Sequence, residues 1–383
     1  MPTREPVDLV YICDWLPPDF GAVGQYAHRS TAEDADTGKR VVLVGLSSDD
    51  DSVADEVIGK GHRRTVRLHT RTYDKTRTSS RLLWTAWTNL RLLRAAWPYL
   101  SEAKEVVFTG SPPLFLHLIA PANLILRRPL TYRITDFHPE CTIAETGRAG
   151  PGLKAMLALT HFWRRRVHRF EVLGHDQAER LREMGIAADR VTLRRDPSPV
   201  EVGPDTRALP RPAGSEGKAL LLYSGNWGVA HDETTFLKAY GRHHREGSGR
   251  VVLWLNAVGK RAQAVREALR RDGLPFIDGH PVPLERLASL LVTPDAHLIT
   301  LRDPFVGYVL PSKTYGCVAS GRPILFIGSA RSDVDHICRE AGVAHYLRVE
   351  VGDTEGLLVA LEDLADTVTA EPAGKEPEPA RVR

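Results

Sequence analysis

A Pro-Ser-Lys triplet places a hydroxyl and an ammonium group side by side at the start of a predicted helix. The helix is predicted to begin at Pro311, which suits a first helical position, to run to about Ser320 and to end at Gly321. A cation in the first turn opposes the helix dipole unless an anion is bound there. Ser312, Lys313 and the free backbone N–H groups therefore predict a diphosphate site. The alternative is a surface lysine whose ammonium group extends into solvent.

A second candidate loop opens the second half of the chain, in the sequence YSGNWGVAHD. Gly225 and Asn226 follow an apolar run, and Asp232 is the expected N-cap of the next helix. A flexible loop that leads into a helix N-terminus suits a phosphate or a sugar. This signal is weak when it is taken alone.

A third candidate is the loop after the first predicted strand, PPDFGAVGQ. Gly21 and Gly24 would let the backbone approach a ligand closely, and a helix is predicted over residues 22–37. The alternative is an ordinary glycine-containing connection. The dinucleotide fingerprint G-x-G-x-x-G does not occur here.

The fourth candidate is the stretch TDFHPE, which follows a predicted strand. Charged groups at the carboxyl end of a strand are costly unless they are paired or solvated in a cleft. Asp136 or His138 is therefore expected to contact sugar hydroxyls or the attacking group. The alternative is a hydrogen-bonded turn that Asp136 caps. Glu140 completes the acidic pair, but one histidine beside two acids lacks the further partners that a metal site needs.

Short apolar runs alternate with helix-length segments along the chain, which predicts parallel sheets covered by helices. The predicted class is α/β with two Rossmann-like lobes whose sheets face an interlobe cleft. The expected boundaries are a first lobe at 1–195, a Pro- and Gly-rich linker at 196–217, a second lobe at 218–355, and a C-terminal helix with a disordered tail at 356–383.

Composition excludes several classes of protein. A net charge of +3 over 383 residues gives no case for nucleic-acid binding. The four cysteines lie far apart and form no CxxC motif, which favours a reduced, cytoplasmic protein without a metal. No apolar run is long enough to span a bilayer, and the N-terminus predicts a strand rather than a signal peptide.

Two segments rich in arginine and aromatic residues concern partners: 81–100, with three tryptophans, and 161–170. Such helices can lie on an anionic bilayer at the inner face of the membrane. The alternative is that they are ordinary amphipathic helices with an arginine-rich solvent face.

In their order along the chain, these loops resemble a GT-B glycosyltransferase of the large retaining family 4, in the branch that elongates lipid-linked saccharides. The resemblance rests on PPDFGAVGQYA, SPPLFLHLIA, TDFHPE, YSGNWGVAHD and LPSKTYGCVASGRPILFIG, which cover residues 14–328. The last two motifs, at this separation, are the more specific ones.

The resemblance implies a nucleotide-diphosphate sugar, linked to UDP or GDP, in the second lobe. The acceptor, a lipid-linked saccharide or a natural product, would be held by the first lobe. It implies a hexosyl transfer that retains anomeric configuration, with no required cofactor, although a divalent cation is allowed. It also implies catalytic roles for Asp136 and His138. The donor-binding residues that it implies are Gly21, Gly24, Gly225, Asn226, Lys260, Tyr308, Pro311, Ser312 and Lys313.

The sequence departs from the family pattern in two ways. Many members carry two glutamates spaced E-x7-E, and their places hold Tyr308 and Gly316 here. The usual basic pair is also missing, and His231 or Lys260 is the expected substitute. A catalytically silent GT-B protein that binds a partner therefore stays open, as does a nucleotide-sugar 2-epimerase.

Overall fold

The computed structural model describes residues 6–19, 21–71 and 78–370. Within these ranges the side chains are described as well, except those of residues 78–82, 260 and 368–370. The predicted tail from 371 onward lies outside the described residues. The chain divides into two compact units, residues 1–196 and residues 197–383.

The first unit contains an eight-stranded sheet in the order β3-β4-β2-β1-β5-β6-β7-β8, counted over the described residues. Neighbouring strands are parallel except β3 and β4. The strands are β1 (Val7–Trp15), β2 (Arg40–Ser47), β3 (Ser52–Ile58), β4 (Gly61–His69), β5 (Ala103–Thr109), β6 (Leu130–Ile134), β7 (Arg169–Val172) and β8 (Val191–Leu193).

Helices connect these strands and cover the sheet. They are α1 (Ala22–Asp36), α2 (Thr78–Leu100), α3 (Leu116–Leu126), α4 (Glu140–Thr146), α5 (Pro151–Arg164) and α6 (His175–Glu183). Leu9, Tyr11 and Leu43 pack with Ala27 of α1 in a buried cluster. The alternate residues of β1 point to the other face of the sheet, because strand side chains alternate.

The second unit contains a six-stranded sheet, again counted over the described residues, in the order β11-β10-β9-β12-β13-β14. Its strands are all parallel. They are β9 (Ala219–Asn226), β10 (Val251–Val258), β11 (Phe276–Asp278), β12 (Ala296–Thr300), β13 (Ile324–Ile327) and β14 (Tyr346–Val349). Its helices are α7 (Thr234–Arg245), α8 (Lys260–Arg271), α9 (Leu287–Val292), α10 (Lys313–Ala319), α11 (Asp333–Glu340) and α12 (Thr354–Ala370).

The predicted class, two α/β lobes each built on a mainly parallel sheet, is confirmed. The hairpin strand β3 was not predicted, because its side chains are largely exposed and charged and give no apolar run. Gly59 has a φ of 55° in the two-residue turn that joins β3 to β4. The last described helix, α12, belongs to the core of the second unit, since Leu357 and Leu361 are fully buried.

All four cysteines are free and buried. Burial raises the pKa of each thiol, that of Cys317 to about 12. Thiols with such pKa values stay protonated and unreactive at neutral pH.

Candidate functional site

The second sheet has a topological switch point between β9 and β12. The chain moves outward from β9 to β10 and β11, and then returns to β12 on the other side of β9. In open α/β sheets, the crevice at the carboxyl ends of the two strands at such a point is the usual ligand site. Gly225 and Asn226 end β9 at this edge, and the loop after β12 leads to Lys313.

Gly225 and Lys313 lie side by side at this switch point, although 88 positions separate them in the sequence. A Cβ atom built on Gly225 would lie 3.8 Å from the Lys313 Cε atom. The φ of Gly225 is 109°, a backbone conformation that other residues rarely adopt. The structure therefore brings together two residues that the sequence predicted to bind one diphosphate.

The Lys313 ammonium group is enclosed and lacks a hydrogen-bond partner among the described residues. Its Nζ atom lies 3.2 Å from the centroid of the Tyr223 ring, a cation–π contact. Burial lowers the pKa of Lys313 to about 7. No carboxylate in the described part of the chain forms an ion pair with it. The alternative of a surface lysine extended into solvent is therefore wrong.

Aromatic residues hold Tyr223 in place beneath the lysine. The rings of Tyr223 and Trp227 stack with centroids 3.8 Å apart, and His231 meets Tyr223 edge-on at 6.0 Å. The sequence analysis missed Tyr223, because within the run ALLLYSG it reads as an ordinary core residue of a strand.

His231 is buried beside the Tyr223 ring. Its Nδ1 atom donates a hydrogen bond to the Thr300 carbonyl oxygen at 2.6 Å, which leaves Nε2 as the unprotonated nitrogen. Burial and then the charge of Lys313 lower the pKa of His231 to about 3. Both effects favour the neutral imidazole in the protein without a donor, and the expectation that His231 replaces a basic residue stays a prediction.

The Asn226 side chain lies next to Gly259, in the turn between β10 and α8. A Cβ atom on Gly259 would lie 2.3 Å from Asn226 Oδ1, so a side chain there would force this amide to move. Gly259 also has a φ of 103°. Lys260 follows in this turn as the first residue of α8. The predicted contact of its side chain lies outside the described residues.

The Pro-Ser-Lys triplet forms a helix start that differs in detail from the prediction. The helix α10 begins at Lys313, two residues after Pro311, and Ser312 is its N-cap without a side-chain capping bond. The Pro311 carbonyl accepts a hydrogen bond from the Thr314 amide at 3.0 Å, and Ser312 is exposed. The predicted placement of Pro311 as the first helical residue is therefore wrong.

The two positions that hold glutamate in many family 4 members lie on either side of this triplet. Tyr308 is half-buried in the loop before it, where its amide donates to the Phe305 carbonyl at 2.9 Å. Gly316 is buried in α10, and a Cβ atom there would lie 3.1 Å from Leu291 Cδ1. Leu291 thus occupies space that a larger residue at position 316 would need.

The first sheet has its own switch point, between β1 and β5, and polar groups converge there. Asp14 near the end of β1 accepts a hydrogen bond from the hydroxyl of Ser111, which follows β5. Its Oδ1 atom is enclosed without a partner among the described residues. Burial, with a contribution from the charge of Asp136 beyond the end of β6, raises the pKa of Asp14 to about 6.

Asp136 and His138 therefore belong to a larger polar cluster than the sequence indicated. Burial raises the pKa of Asp136, and the charge of His138 opposes this shift. The sequence analysis missed Asp14 and Ser111. One signal was available: Asp14 lies near the end of β1 and Ser111 follows β5, and these two strands are neighbours in the sheet.

Glu140 is a structural residue. Arg164 and Glu140 form a buried ion pair, and Arg164 Nη2 also donates to the His138 carbonyl oxygen at 3.1 Å. Although burial raises the pKa of Glu140, the hydrogen bond from His161 and the charge of Arg164 lower it to about 2. This pair fixes the backbone that carries Asp136 and His138.

The two glycines of the first loop differ in their surroundings. Gly21 is the N-cap of α1 in an extended conformation, with a φ of −166°. A Cβ atom on Gly24 would lie 1.7 Å from the Trp15 carbonyl oxygen. Gly24 thus permits the close approach of α1 to the backbone after β1. The contact of either glycine with a donor stays a prediction.

A cavity of about 500 Å³ lies at the opposite edge of the first sheet, away from these residues. It is lined by Val7 and Arg40, the first residues of β1 and β2, and by His62, the second residue of β4. No group of three or more potential ligands in the described part of the chain could hold a metal ion. Nor does any described helix have the length and apolarity to cross a membrane.

No family model matches this chain, and no curated protein matches it. Solved structures do. Sucrose-phosphate synthase from Thermosynechococcus elongatus aligns with a TM-score of 0.61 at 12% identity, over 95% of this chain and 92% of that chain. HepE from Anabaena, in complex with UDP, aligns with a TM-score of 0.60 at 11% identity, over 94% and 91%.

An α,α-trehalose-phosphate synthase (UDP-forming) from Burkholderia vietnamiensis gives a TM-score of 0.58 at 14% identity, over 95% of this chain and 92% of that chain. These structures share the GT-B fold, and the present chain has this fold over the 94–95% of its length that aligns with them.

Proposed function

We propose that this protein transfers a sugar from a nucleotide-diphosphate donor to a hydroxyl acceptor. One observation carries the proposal: the enclosed ammonium group of Lys313 has no anionic partner among the described residues. It stands beside Gly225 at the switch point of the second sheet. A buried charge without a partner is costly, and a bound diphosphate would supply the missing counter-charge.

Lys313 would neutralise the charge that develops on the leaving diphosphate, and Gly225 leaves room for the phosphate oxygens. Electrostatic support of this kind is commonly the largest contribution of a protein to such a step. The HepE structure contains UDP, which supports a UDP-linked sugar as the donor proposed for the present protein. UDP and GDP sugars are both kept as candidate donors, and a hexosyl group as the transferred unit.

We further propose that the transfer retains anomeric configuration, as in the family that the sequence resembles. In that family the leaving phosphate helps to accept the proton of the attacking hydroxyl. The polar cluster of Asp14, Ser111, Asp136 and His138 would bind the acceptor hydroxyls. Asp14 is the best placed of these carboxylates to accept a hydrogen bond, because its Oδ1 atom is still unpartnered among the described residues.

The acceptor that we propose is a lipid-linked saccharide or a natural product, used in the cytoplasm or at the inner face of the membrane. No cofactor is required in this scheme, although a divalent cation could assist the diphosphate.

The test is a thermal-shift screen with UDP, GDP and TDP sugars, followed by a transfer assay with the donor that binds. Donor binding should raise the melting temperature by mass action. Lys313→Ala should weaken donor binding by about 1.5–3 kcal/mol, the scale of a charge-assisted hydrogen bond. Lys238→Ala, which removes an exposed lysine of α7, is the matched control and should bind as the unmodified protein does.

Unchanged donor binding in Lys313→Ala would remove the site assignment. Donor binding without transfer or hydrolysis would favour the silent GT-B protein, which Tyr308 and Gly316 keep open. Proton exchange at the sugar without any acceptor would favour the 2-epimerase.

A further inference from the structure

The outward face of α2 is apolar. Leu83, Trp87, Leu90 and Trp97 are 73%, 63%, 52% and 42% exposed. Their spacing of four, three and seven residues puts them on one side of the helix, together with exposed Arg94. A helix of a water-soluble unit normally presents polar side chains on this side.

The inward face of α2 is mixed, because Leu92, Ala96 and Leu100 are fully buried there together with polar residues. Thr85, Thr88 and Asn89 are 5%, 1% and 2% exposed, so they are buried against the unit. Asn89 donates a hydrogen bond to the Pro113 carbonyl oxygen at 2.9 Å. The helix thus buries hydroxyl and amide groups beside its apolar residues, while the indole rings of Trp87 and Trp97 stay exposed. Of the two arginines whose side chains are described in α2, Arg94 is exposed and Arg91 bonds to the His69 carbonyl.

The neighbouring helices extend this face. The helix α3 packs against both α2 and α5. Leu124 and Ile125 at the end of α3 are 59% and 78% exposed, and Leu159 and Phe162 of α5 are 47% and 43% exposed. We call the exposed residues of α2, α3 and α5 the basic–apolar face. Scattered apolar residues need no explanation, whereas an extended group of this kind marks an interaction site.

The charges on this face have one sign. Residues 78–100, 116–128 and 147–170 contain no aspartate or glutamate, although the whole chain has 48 acidic and 51 basic residues. Several cations of these segments are exposed: Arg94, Arg127, Lys154, Arg165 and Arg166. A second copy of the same face would be repelled, so a symmetric dimer through it is disfavoured.

We propose that the basic–apolar face docks on an anionic lipid bilayer, with the indole and aliphatic side chains in the headgroup region and the cations on lipid phosphates. Indole rings favour the interface between water and acyl chains, and cations beside them add attraction to anionic lipids. Binding at this face does not require the transfer reaction, so it can fail or succeed independently of the proposed function.

The test is co-sedimentation of the full chain with vesicles of equal parts phosphatidylglycerol and phosphatidylcholine, and with phosphatidylcholine alone. The protein should partition onto the anionic vesicles, and high salt should weaken this. The double substitution Trp87→Gln with Leu90→Gln should lower partitioning by about tenfold or more. Val359→Gln is the matched control, because Val359 is 60% exposed on α12 of the second unit.

Thermal unfolding of each variant verifies that the fold is intact, and UDP binding should be unchanged in all of them. A protein that stays in the supernatant with anionic vesicles overturns the proposal. So does a double variant that sediments as the unmodified chain does. A dimer that forms without vesicles and is lost in the double variant would assign the face to a protein contact instead, which also overturns it.

Discussion

At the scale of single residues, the burial of the Lys313 ammonium group costs stability, which its proposed role in donor binding would explain. Its ammonium group is enclosed over the Tyr223 ring, and a cation–π contact replaces only part of the lost hydration. The free protein therefore contains a cation that the fold alone would not select. Residues held at such a cost are commonly functional.

We expect Lys313→Met to raise the free energy of unfolding and lower donor affinity at once. At pH 7 the gain should be about 1–2 kcal/mol, after allowance for solvent screening of this partly exposed side chain. Urea unfolding measures the first effect and titration with a UDP sugar the second. A variant that loses stability together with donor affinity would show that Lys313 is a packing residue.

The pH dependence of this effect has a defined sign. The folded-state pKa of Lys313 is about 7, below the ordinary value of 10.5, so the unfolded chain binds more protons between these values. The contribution of Lys313 to stability therefore rises with pH from about 7 upward. The advantage of Lys313→Met should shrink at pH 9, and an advantage that grows with pH would contradict the assignment.

The sequence predicted the candidate ligand-binding residues better than the residues that surround them. Lys313 and Gly225 were predicted because polar and glycine residues interrupt apolar runs at those positions. Tyr223, Asp14 and Ser111 were not, because each acquires its role from a neighbour that is distant in the chain. Short-range pattern carries no information about such contacts.

At the scale of elements, the close approach of α1 to the end of β1 depends on the absence of a Cβ atom at Gly24. The helix passes so close to the backbone of Trp15 that Gly24 has no room for a side chain. Gly21, three residues earlier, has only ordinary contacts at 3.8 Å or more.

These two glycines should therefore respond differently to alanine. Gly24→Ala should destabilise the protein by about 2–4 kcal/mol, because its Cβ atom would meet backbone that cannot move aside. Gly21→Ala should cost about 1 kcal/mol or less, the usual effect at an N-cap. Thermal and urea unfolding of both variants measure the difference, and equal costs would contradict the close approach.

Elements with buried apolar runs were predictable, and exposed ones were not. The run RVVLVGLS coincides with β2, because a strand covered on both faces is apolar throughout. The strand β3 has charged, exposed side chains and forms through its hairpin with β4. The exposure of Leu83, Trp87 and Leu90 on α2 was equally hidden, because helical spacing shows two faces without telling which one is buried.

At the scale of the whole molecule, the chain repeats one design. Each unit has its own buried core and a mainly parallel sheet with a switch point near which polar or glycine residues gather. The two proposed donor residues that lie side by side, Gly225 and Lys313, both belong to the second unit. The two-lobe class followed from the alternation of apolar runs and helix-length segments, but the place of α12 in the second core did not.

We expect the second unit to recognise nucleotide without the first. Residues 197–383 produced alone should gain about 5 °C or more in melting temperature at saturating UDP or GDP, whichever the full chain prefers. Residues 1–196 produced alone should show no such gain. Stabilisation of the first unit instead would move the donor site there and contradict the assignment of Lys313.

The four buried thiols have a practical consequence for experiments on this protein. With their pKa values raised, they should react slowly with maleimides at neutral pH. A cysteine introduced at exposed Leu83 or Val359 would therefore be labelled ahead of them in a folded, otherwise unmodified chain. A fluorescent or spin label at position 83 could then report how deeply the basic–apolar face enters a bilayer, and a label at position 359 would serve as the reference in solvent.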